Sequence, residues 1–257
     1  RSFAKVLADP VRELGTWMSD PRYTRSYFVI TRSQIAEADG TGSLPRGSLQ
    51  EIRGKLLASD RFRVLVEDRD AILASTESVI ARHHDGNMVL VTVAPCSPFS
   101  VTTGLMVESA ELARKHGLRL HTHLCETIAE QEHCLERFGR RPVEMLDEWG
   151  WVGDDVWLAH GIHIDDDEMA RLGSAGTGIA HCPSSNARLA AGMCRVTDLR
   201  AAGCPVGLGV DGVASNEVGG LFPELRQALY TARLRELRPG ALMPADVVEM
   251  ATTSGAD

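Results

Sequence analysis

The chain has 257 residues, of which 44% are hydrophobic and 24% are charged, the values of an ordinary globular domain with one large core. The formal net charge of −8 argues against nucleic acid as a partner, because a phosphate backbone binds to a basic surface. No apolar run approaches the roughly 18 residues of a membrane span, and the N-terminus carries no signal-peptide core. The 6 cysteines form no Cys-x-x-Cys pair. We therefore expect a cytoplasmic protein with reduced thiols and no membrane partner.

Residues 1–67 show the weakest pattern in the chain. Two runs in this part, residues 27–31 and 62–67, are compatible with strands, and the sequence between them has no clear period. We therefore divide the chain into a poorly matched N-terminal segment, residues 1–67, and a regular portion, residues 68–257.

From residue 88 onward, short apolar runs alternate with amphipathic helices. Residues 88–93, rich in β-branched side chains, predict a strand buried on both faces. Four more strands are predicted at residues 118–124, 156–160, 178–181 and 206–210. Helices are predicted at residues 105–116, 128–138, 143–149, 165–173, 196–202, 221–237 and 244–251, with Gly139 as a stop and Asp165 and Glu168 as a capping box. The alternation predicts an α/β fold with a parallel sheet covered by helices.

Histidines gather at one end of the predicted strands, at His121, His123, His160 and His181, and Asp211 follows the last strand. In a parallel barrel these ends converge on the face where active sites are built. A single histidine there is usually structural and Asp211 alone could open a turn, but the joint pattern indicates a metal site with an open position. The histidines expected to be solvated surface residues are His83, His84, His116 and His133.

Four motifs, in this order, resemble the amidohydrolase superfamily: residues 121–127 (HTHLCET), 159–161 (AHG), 181–186 (HCPSSN) and 209–212 (GVDG). The resemblance is to its deaminase and chlorohydrolase branch, and residues 94–100 (APCSPFS) and 206–216 (VGLGVDGVASN) are similar to the 8-oxoguanine deaminases. The resemblance implies a metal-dependent (β/α)8 barrel of the TIM type. Strands four to eight of this barrel would lie in residues 68–257, and we expect it to be incomplete at its N-terminal end.

The resemblance also implies a role for each matching residue. His123 corresponds to the metal ligand of the fifth strand, and Glu126 to the proton shuttle of a His-x-x-Glu motif. His160 corresponds to the sixth-strand histidine, which ligates the metal or faces its water, and Asp211 to the eighth-strand aspartate, a ligand and a base. His121 is expected to be a buried structural neighbour.

The implied cofactor is one Zn²⁺, with Fe²⁺ as the alternative, and the implied partner is a small heterocyclic substrate. The candidates for substrate contacts, in loops that line the pocket of such enzymes, are Cys96, Asn186, Ser215 and Asn216. Loop capping is an equal alternative for them. In the implied chemistry Asp211 takes a proton from the attacking water, His160 orients that water, and Glu126 protonates the ring nitrogen.

One part of the family pattern is missing. The first strand of these barrels carries a His-x-His pair, and no histidine precedes His83. We therefore expect a segment of a longer enzyme, one that deaminates a purine-like ring of the 8-oxoguanine or guanine type. Two alternatives stay open: removal of chloride or an alkylamine from a triazine, and a barrel that only binds a ligand or a partner. A homo-oligomer is also compatible with the sequence.

Overall fold

The computed structural model describes residues 68–256, and Arg69–Asp257 form one compact unit. This unit contains a sheet of four parallel strands, β1 (Leu120–Leu124), β2 (Val156–His160), β3 (Gly178–His181) and β4 (Val206–Leu208). The strands lie side by side in chain order, with helices in each connection between neighbours. These are successive βαβ units, so the predicted α/β fold with a parallel sheet is confirmed.

The helices lie before, between and after the strands. They are α1 (Arg69–His83), α2 (Thr103–Lys115), α3 (Ile128–Phe138), α4 (Pro142–Glu148), α5 (Asp166–Ser174), α6 (Pro183–Arg188), α7 (Val196–Ala201), α8 (Val213–Asn216), α9 (Leu221–Glu236), α10 (Pro244–Ala251) and α11 (Thr253–Ala256). None of these helices is long and apolar enough to cross a membrane.

Local sequence signals set several helix ends. The Thr127 side chain accepts a hydrogen bond from the Glu130 N–H at the start of α3, and α3 ends at Gly139, whose φ of 68° is left-handed. Asp165 and Glu168 form a reciprocal capping box at the start of α5. The predicted boundaries of these helices are therefore close to the observed ones because the capping residues act locally.

The two faces of β1 differ in burial. Leu120, Thr122 and Leu124 are fully buried, whereas His121 and His123 are half-buried. Because alternate side chains of a strand point to opposite faces, both histidines lie on the more open face of the sheet. The buried face belongs to one apolar cluster that also includes Trp151, Leu158, Leu172, Leu199 and Met250.

One contact between helices leaves no room for a side chain. A Cβ atom on Gly173, in α5, would lie 1.9 Å from the carbonyl oxygen of Ala202, the residue that ends α7. Glycine at this position therefore allows the two backbones to approach closely.

Some strand and helix predictions are wrong. Within residues 88–93 only Val93 pairs, through an isolated parallel bridge to Leu120, and Met88, Val89 and Leu90 are exposed. A parallel strand is stabilised by neighbours on both edges, and among residues 68–256 only β1 lies next to this run. The last strand ends at Leu208, two residues early, and α1, α6 and α8 were not predicted.

The two candidate strands at residues 27–31 and 62–67 lie outside the described residues. The division of the chain at residue 67 therefore stays a prediction.

Candidate metal centre

Three side chains from the C-terminal ends of the sheet come together as the strand-end pattern predicts. Each of His123, His160 and Asp211 offers one possible ligand atom, and these atoms all lie within 4.8 Å of one another. His123 lies in β1, His160 ends β2, and Asp211 follows β4. We call these three residues the triad.

The backbone turns sharply where the strands end. His160 has a φ of 72°, Asp211 a φ of 58°, and Cys125, directly after β1, a φ of 52°. Left-handed backbone at a residue other than glycine costs on the order of 1–3 kcal/mol and persists only where the surroundings enforce it. Two of the three triad residues are thus held in a strained conformation.

The His123 ring is oriented by Cys96. Its Nδ1 lies 2.6 Å from the Cys96 carbonyl oxygen, and because that oxygen only accepts, Nδ1 is the donor. The Cys96 thiol beside the ring raises the pKa of His123 to about 9, although burial acts to lower it. The same contact lowers the pKa of the Cys96 thiol. Because Nδ1 is committed to the Cys96 carbonyl, Nε2 is the nitrogen that would meet a metal ion, and the ring must give up a proton to bind it.

The His160 ring is almost completely buried, with 1% of its side chain exposed. Its Nδ1 lies 2.9 Å from Oδ1 of Asn186, and its Nε2 lies 3.8 Å from a carboxylate oxygen of Glu126. The Glu126 side chain is 24% exposed, so it can meet both this ring and a small molecule entering from solvent.

Two hydroxyl groups hold the Asp211 carboxylate. Ser185 Oγ donates to Asp211 Oδ2 at 2.5 Å and Ser215 Oγ donates to the same oxygen at 2.8 Å. Burial acts to raise the pKa of Asp211, but these two bonds favour the ionised form, and the pKa is lowered overall. The carboxylate is therefore ready to bind a cation.

Sequence reasoning missed Glu130, which supports the turn carrying Glu126. Its carboxylate oxygens accept from the backbone N–H groups of Cys125 at 3.0 Å and Glu126 at 2.8 Å. Burial raises the pKa of Glu130 to about 7. The Thr127-x-x-Glu130 spacing of a helix start was the signal that could have revealed this residue.

Two strand-end histidines lie outside the triad. His121 stacks on Trp157 with ring centroids 3.5 Å apart, and burial lowers its pKa to about 4. It is half-buried, less than expected. His181 is buried, its ring nitrogens have no hydrogen-bond partner among residues 68–256, and burial lowers its pKa to about 3. Both rings are therefore neutral at physiological pH.

The four histidines expected on the surface divide into two pairs. His83 and His116 are exposed, as predicted. His84 and His133 are half-buried, which corrects the prediction for them. His84 accepts a hydrogen bond from the Val91 N–H through Nδ1, so it acts within the local structure.

The candidates for substrate contacts lie around the triad, and Nδ2 of Asn186 is buried without a hydrogen-bond partner among residues 68–256. Asn186 is in α6 and Ser215 and Asn216 are in α8, not in loops, because both segments after the strand ends form short helices. Asn216 Nδ2 donates to the Val210 carbonyl at 2.7 Å, and Cys96 contacts His123. Their role in binding substrate stays a prediction.

The triad fits a zinc ion on its own chemistry. Two imidazoles and a carboxylate are ligand types that Zn²⁺ takes in catalytic sites, which keep an open position. Each histidine uses Nδ1 on a neighbouring oxygen, at Cys96 and at Asn186, and keeps Nε2 free. This support from a second ring nitrogen is typical of metal-ligating histidine.

The chain belongs to the amidohydrolase family, since the model of that family matches residues 12–257. This confirms the resemblance predicted from the motifs. The fold is of the TIM-barrel kind, because the chain is similar to solved barrels of this family.

Individual relatives match between 66% and 77% of the chain. The 8-oxoguanine deaminase of Pseudomonas aeruginosa is 57% identical over 173 residues, which cover 66% of this chain and 38% of the relative. Isoxanthopterin deaminase from an unknown prokaryotic organism is 39% identical over 208 residues, covering 74% and 43%. The crystal structure of atrazine chlorohydrolase from Arthrobacter aurescens TC1, complexed with zinc, is 29% identical with a TM-score of 0.72, covering 77% and 44%. The chain spans less than half the length of each.

Proposed function

We propose that this chain carries the catalytic residues of a metal-dependent aminohydrolase. The substrate is a purine-like heterocycle of the 8-oxoguanine or guanine type, and the products are the oxo compound and ammonia. The observation that carries the proposal is the approach of His123, His160 and Asp211 to within 4.8 Å, with Glu126 beside His160. Similarity to relatives named as deaminases of 8-oxoguanine and isoxanthopterin supports the substrate class.

We infer that His123, His160 and Asp211 hold one zinc ion, with Fe²⁺ as the alternative. When bound, the ion supplies a positive charge that lowers the pKa of a coordinated water to about 7. Nε2 of each histidine and the ionised carboxylate of Asp211 are the groups this requires, and His123 gives up the proton that its raised pKa retains. The zinc in the similar atrazine chlorohydrolase structure supports this choice of metal.

Asp211, His160 and Glu126 have separate roles in the reaction. Asp211 accepts a proton from the attacking water on a carboxylate oxygen, which its two serine donors keep ionised beforehand. Nδ1 of His160 is committed to Asn186, so its single free lone pair, on Nε2, either ligates the ion or orients the attacking water. Glu126, 24% exposed and 3.8 Å from His160, delivers a proton to the ring nitrogen beside the attacked carbon. As the C–N bond breaks, the proton taken up by Asp211 passes to the departing amino group, which leaves as ammonia. A step of this kind contributes about 10²–10⁴-fold to the rate.

The proposal is tested by measuring zinc content and product release with the purified chain. We expect near-stoichiometric zinc, and ammonia release from 8-oxoguanine or guanine within a panel of purines, pterins and triazines. The matched control is Asp211→Asn, which should lower zinc content and ammonia release together because it alters a ligand. A chain that binds zinc but releases no ammonia from any heterocycle would contradict the proposal.

A second candidate keeps the fold and the metal and changes the leaving group. Similarity to atrazine chlorohydrolase favours a triazine substrate, from which chloride or an alkylamine would be released. Chloride release in the same panel would identify this activity. The third candidate is a barrel that only binds a ligand or a partner, and a chain without bound zinc would favour it. The cytoplasmic location and the homo-oligomer stay predictions.

A further inference from the structure

A carboxyl group with no exposed surface lies close to the triad. Glu224 is in the first turn of α9 and is 0% exposed. Among residues 68–256, no arginine or lysine forms an ion pair with it. Burying a carboxyl group is unfavourable by several kcal/mol unless hydrogen bonds replace its contacts with water. The hydrogen bonds of Glu224 therefore need a structural explanation.

Both oxygens of Glu224 accept hydrogen bonds, one from each of two helices. Oε2 accepts from the backbone N–H of Ser184 in α6 at 3.0 Å, and Oε1 accepts from Nδ2 of Asn216 in α8 at 2.9 Å. The next residue in α6, Ser185, and the preceding residue in α8, Ser215, are the two donors to the Asp211 carboxylate. Glu224 thus joins the two segments that hold this ligand.

Asn216 also acts on the backbone at Asp211. Besides donating to Glu224, its Nδ2 donates to the Val210 carbonyl oxygen at 2.7 Å. This bond fixes the peptide that precedes Asp211, whose φ of 58° is strained. Since both hydrogens of the amide are used, the position of Asn216 is determined by Glu224 and Val210 together.

We propose that Glu224 is a positioning residue of the metal centre. Through Ser184 and Asn216 it holds Asp211 in its left-handed conformation, with the carboxylate directed at His123 and His160. The inference rests on the proposed function, in which Asp211 is a metal ligand. Glu224 acts on the metal only through its neighbours.

Glu224→Gln tests this role in the 257-residue chain. The glutamine amide has one acceptor oxygen, and its NH2 group would face one of the two donors, Ser184 or Asn216. We expect Zn²⁺ affinity to fall by about 10–100-fold, the usual effect of losing a group that supports a ligand. The affinity is measured by competition with a chromophoric zinc chelator, so the readout does not depend on catalysis.

Glu168→Gln is the matched control. Glu168 is another buried glutamate, 4% exposed, and its carboxylate pairs with Arg141 and caps α5 without contacting the triad. We expect this variant to lower the thermal midpoint while the zinc affinity stays within about twofold of wild type. A general loss of stability would lower zinc affinity in both variants, whereas a positioning role affects only Glu224→Gln.

Asn216→Ala provides a second variant and a double-mutant cycle. If Glu224 acts through Asn216, the loss of zinc affinity caused by Asn216→Ala should be smaller in the Glu224→Gln background than in the wild-type background. If Glu224→Gln does not fold, the single Asn216→Ala variant still tests the network, with the same expected loss. Wild-type zinc affinity in Glu224→Gln would overturn this inference but not the proposed function. If Glu224→Gln does not fold, wild-type zinc affinity in Asn216→Ala would have the same consequence. A wild-type chain without zinc affinity would overturn the proposed function as well.

Discussion

Oδ1 of Asn186 lies 2.9 Å from Nδ1 of His160, and this contact determines which nitrogen of the buried ring faces Glu126. Because an amide oxygen only accepts, Nδ1 carries a hydrogen, and Nε2 is the nitrogen left to face the triad. The Cys96 carbonyl oxygen likewise accepts from Nδ1 of His123. Nε2 of each ring is therefore the nitrogen left to meet a metal ion.

Asn186→Leu removes this acceptor while keeping a similar volume. We expect zinc affinity to fall by about 10–100-fold, because the His160 ring loses the bond that fixes its tautomer. Asn186→Asp, which still accepts at this position, should retain most of the affinity. Asn87→Ala, at an exposed position outside the centre, serves as the control. Equal zinc affinity in the leucine variant and wild type would show that the contact does not orient the ring.

Glu126→Gln separates proton transfer from metal binding. Glutamine keeps the shape of the side chain but cannot donate a proton to the ring nitrogen, so kcat should fall by about 10²-fold or more while zinc content stays the same. Asp211→Asn should lower both. Steady-state kinetics and metal analysis on the same samples check the difference. Turnover above about a tenth of wild type would leave Glu126 as an acidic residue that precedes a helix N-terminus.

The stability of the chain should depend on Glu130 between about pH 4.5 and pH 7. Burial raises the pKa of Glu130 from 4.5 to about 7, so its contribution is fully present below 4.5 and is lost as the pH rises to 7. The difference corresponds to on the order of 3 kcal/mol. Urea unfolding of wild type and Glu130→Gln across this range measures it. Parallel pH curves for the two proteins would contradict the assignment.

Gly173→Ala should destabilise the fold by about 3 kcal/mol, the upper range for overpacking a core contact. The added methyl group would lie 1.9 Å from the Ala202 carbonyl, and backbone cannot yield as a side chain does. Gly220→Ala is the matched control, since its nearest neighbour, Pro223 Cδ, is 3.7 Å away and its backbone is extended. Thermal unfolding of both variants tests the prediction, and similar midpoints would refute it.

Much of the fold could be predicted from local sequence signals. Strands β2 and β3 and helix α10 have the predicted boundaries, because an apolar run or a Pro at the helix start marks each. The strand predicted at residues 88–93 is wrong, because β-branched composition favours a strand but does not show whether a neighbouring strand pairs with it. Helices α6 and α8 are too short to show a periodic pattern.

The triad could be predicted because parallel strands end at one edge of the sheet, so residues at the ends of successive strands lie close together. The residues that support the triad could not be predicted from the sequence. Glu224 lies 13 residues after Asp211, in the first turn of a helix where an acidic residue is favoured for ordinary reasons. Its contact with Asn216 depends on how α8 and α9 pack, which no local pattern specifies.

The left-handed backbone at His160 and Asp211 affects which sequence changes this centre can accept. Asparagine adopts that conformation as readily as aspartate and has nearly the same volume, so Asp211→Asn should leave the fold and the thermal midpoint intact. The same replacement removes a candidate ligand. Selection for thermostability alone would therefore not preserve Asp211, and a stabilised laboratory variant should be checked for zinc binding before it is used as a catalyst.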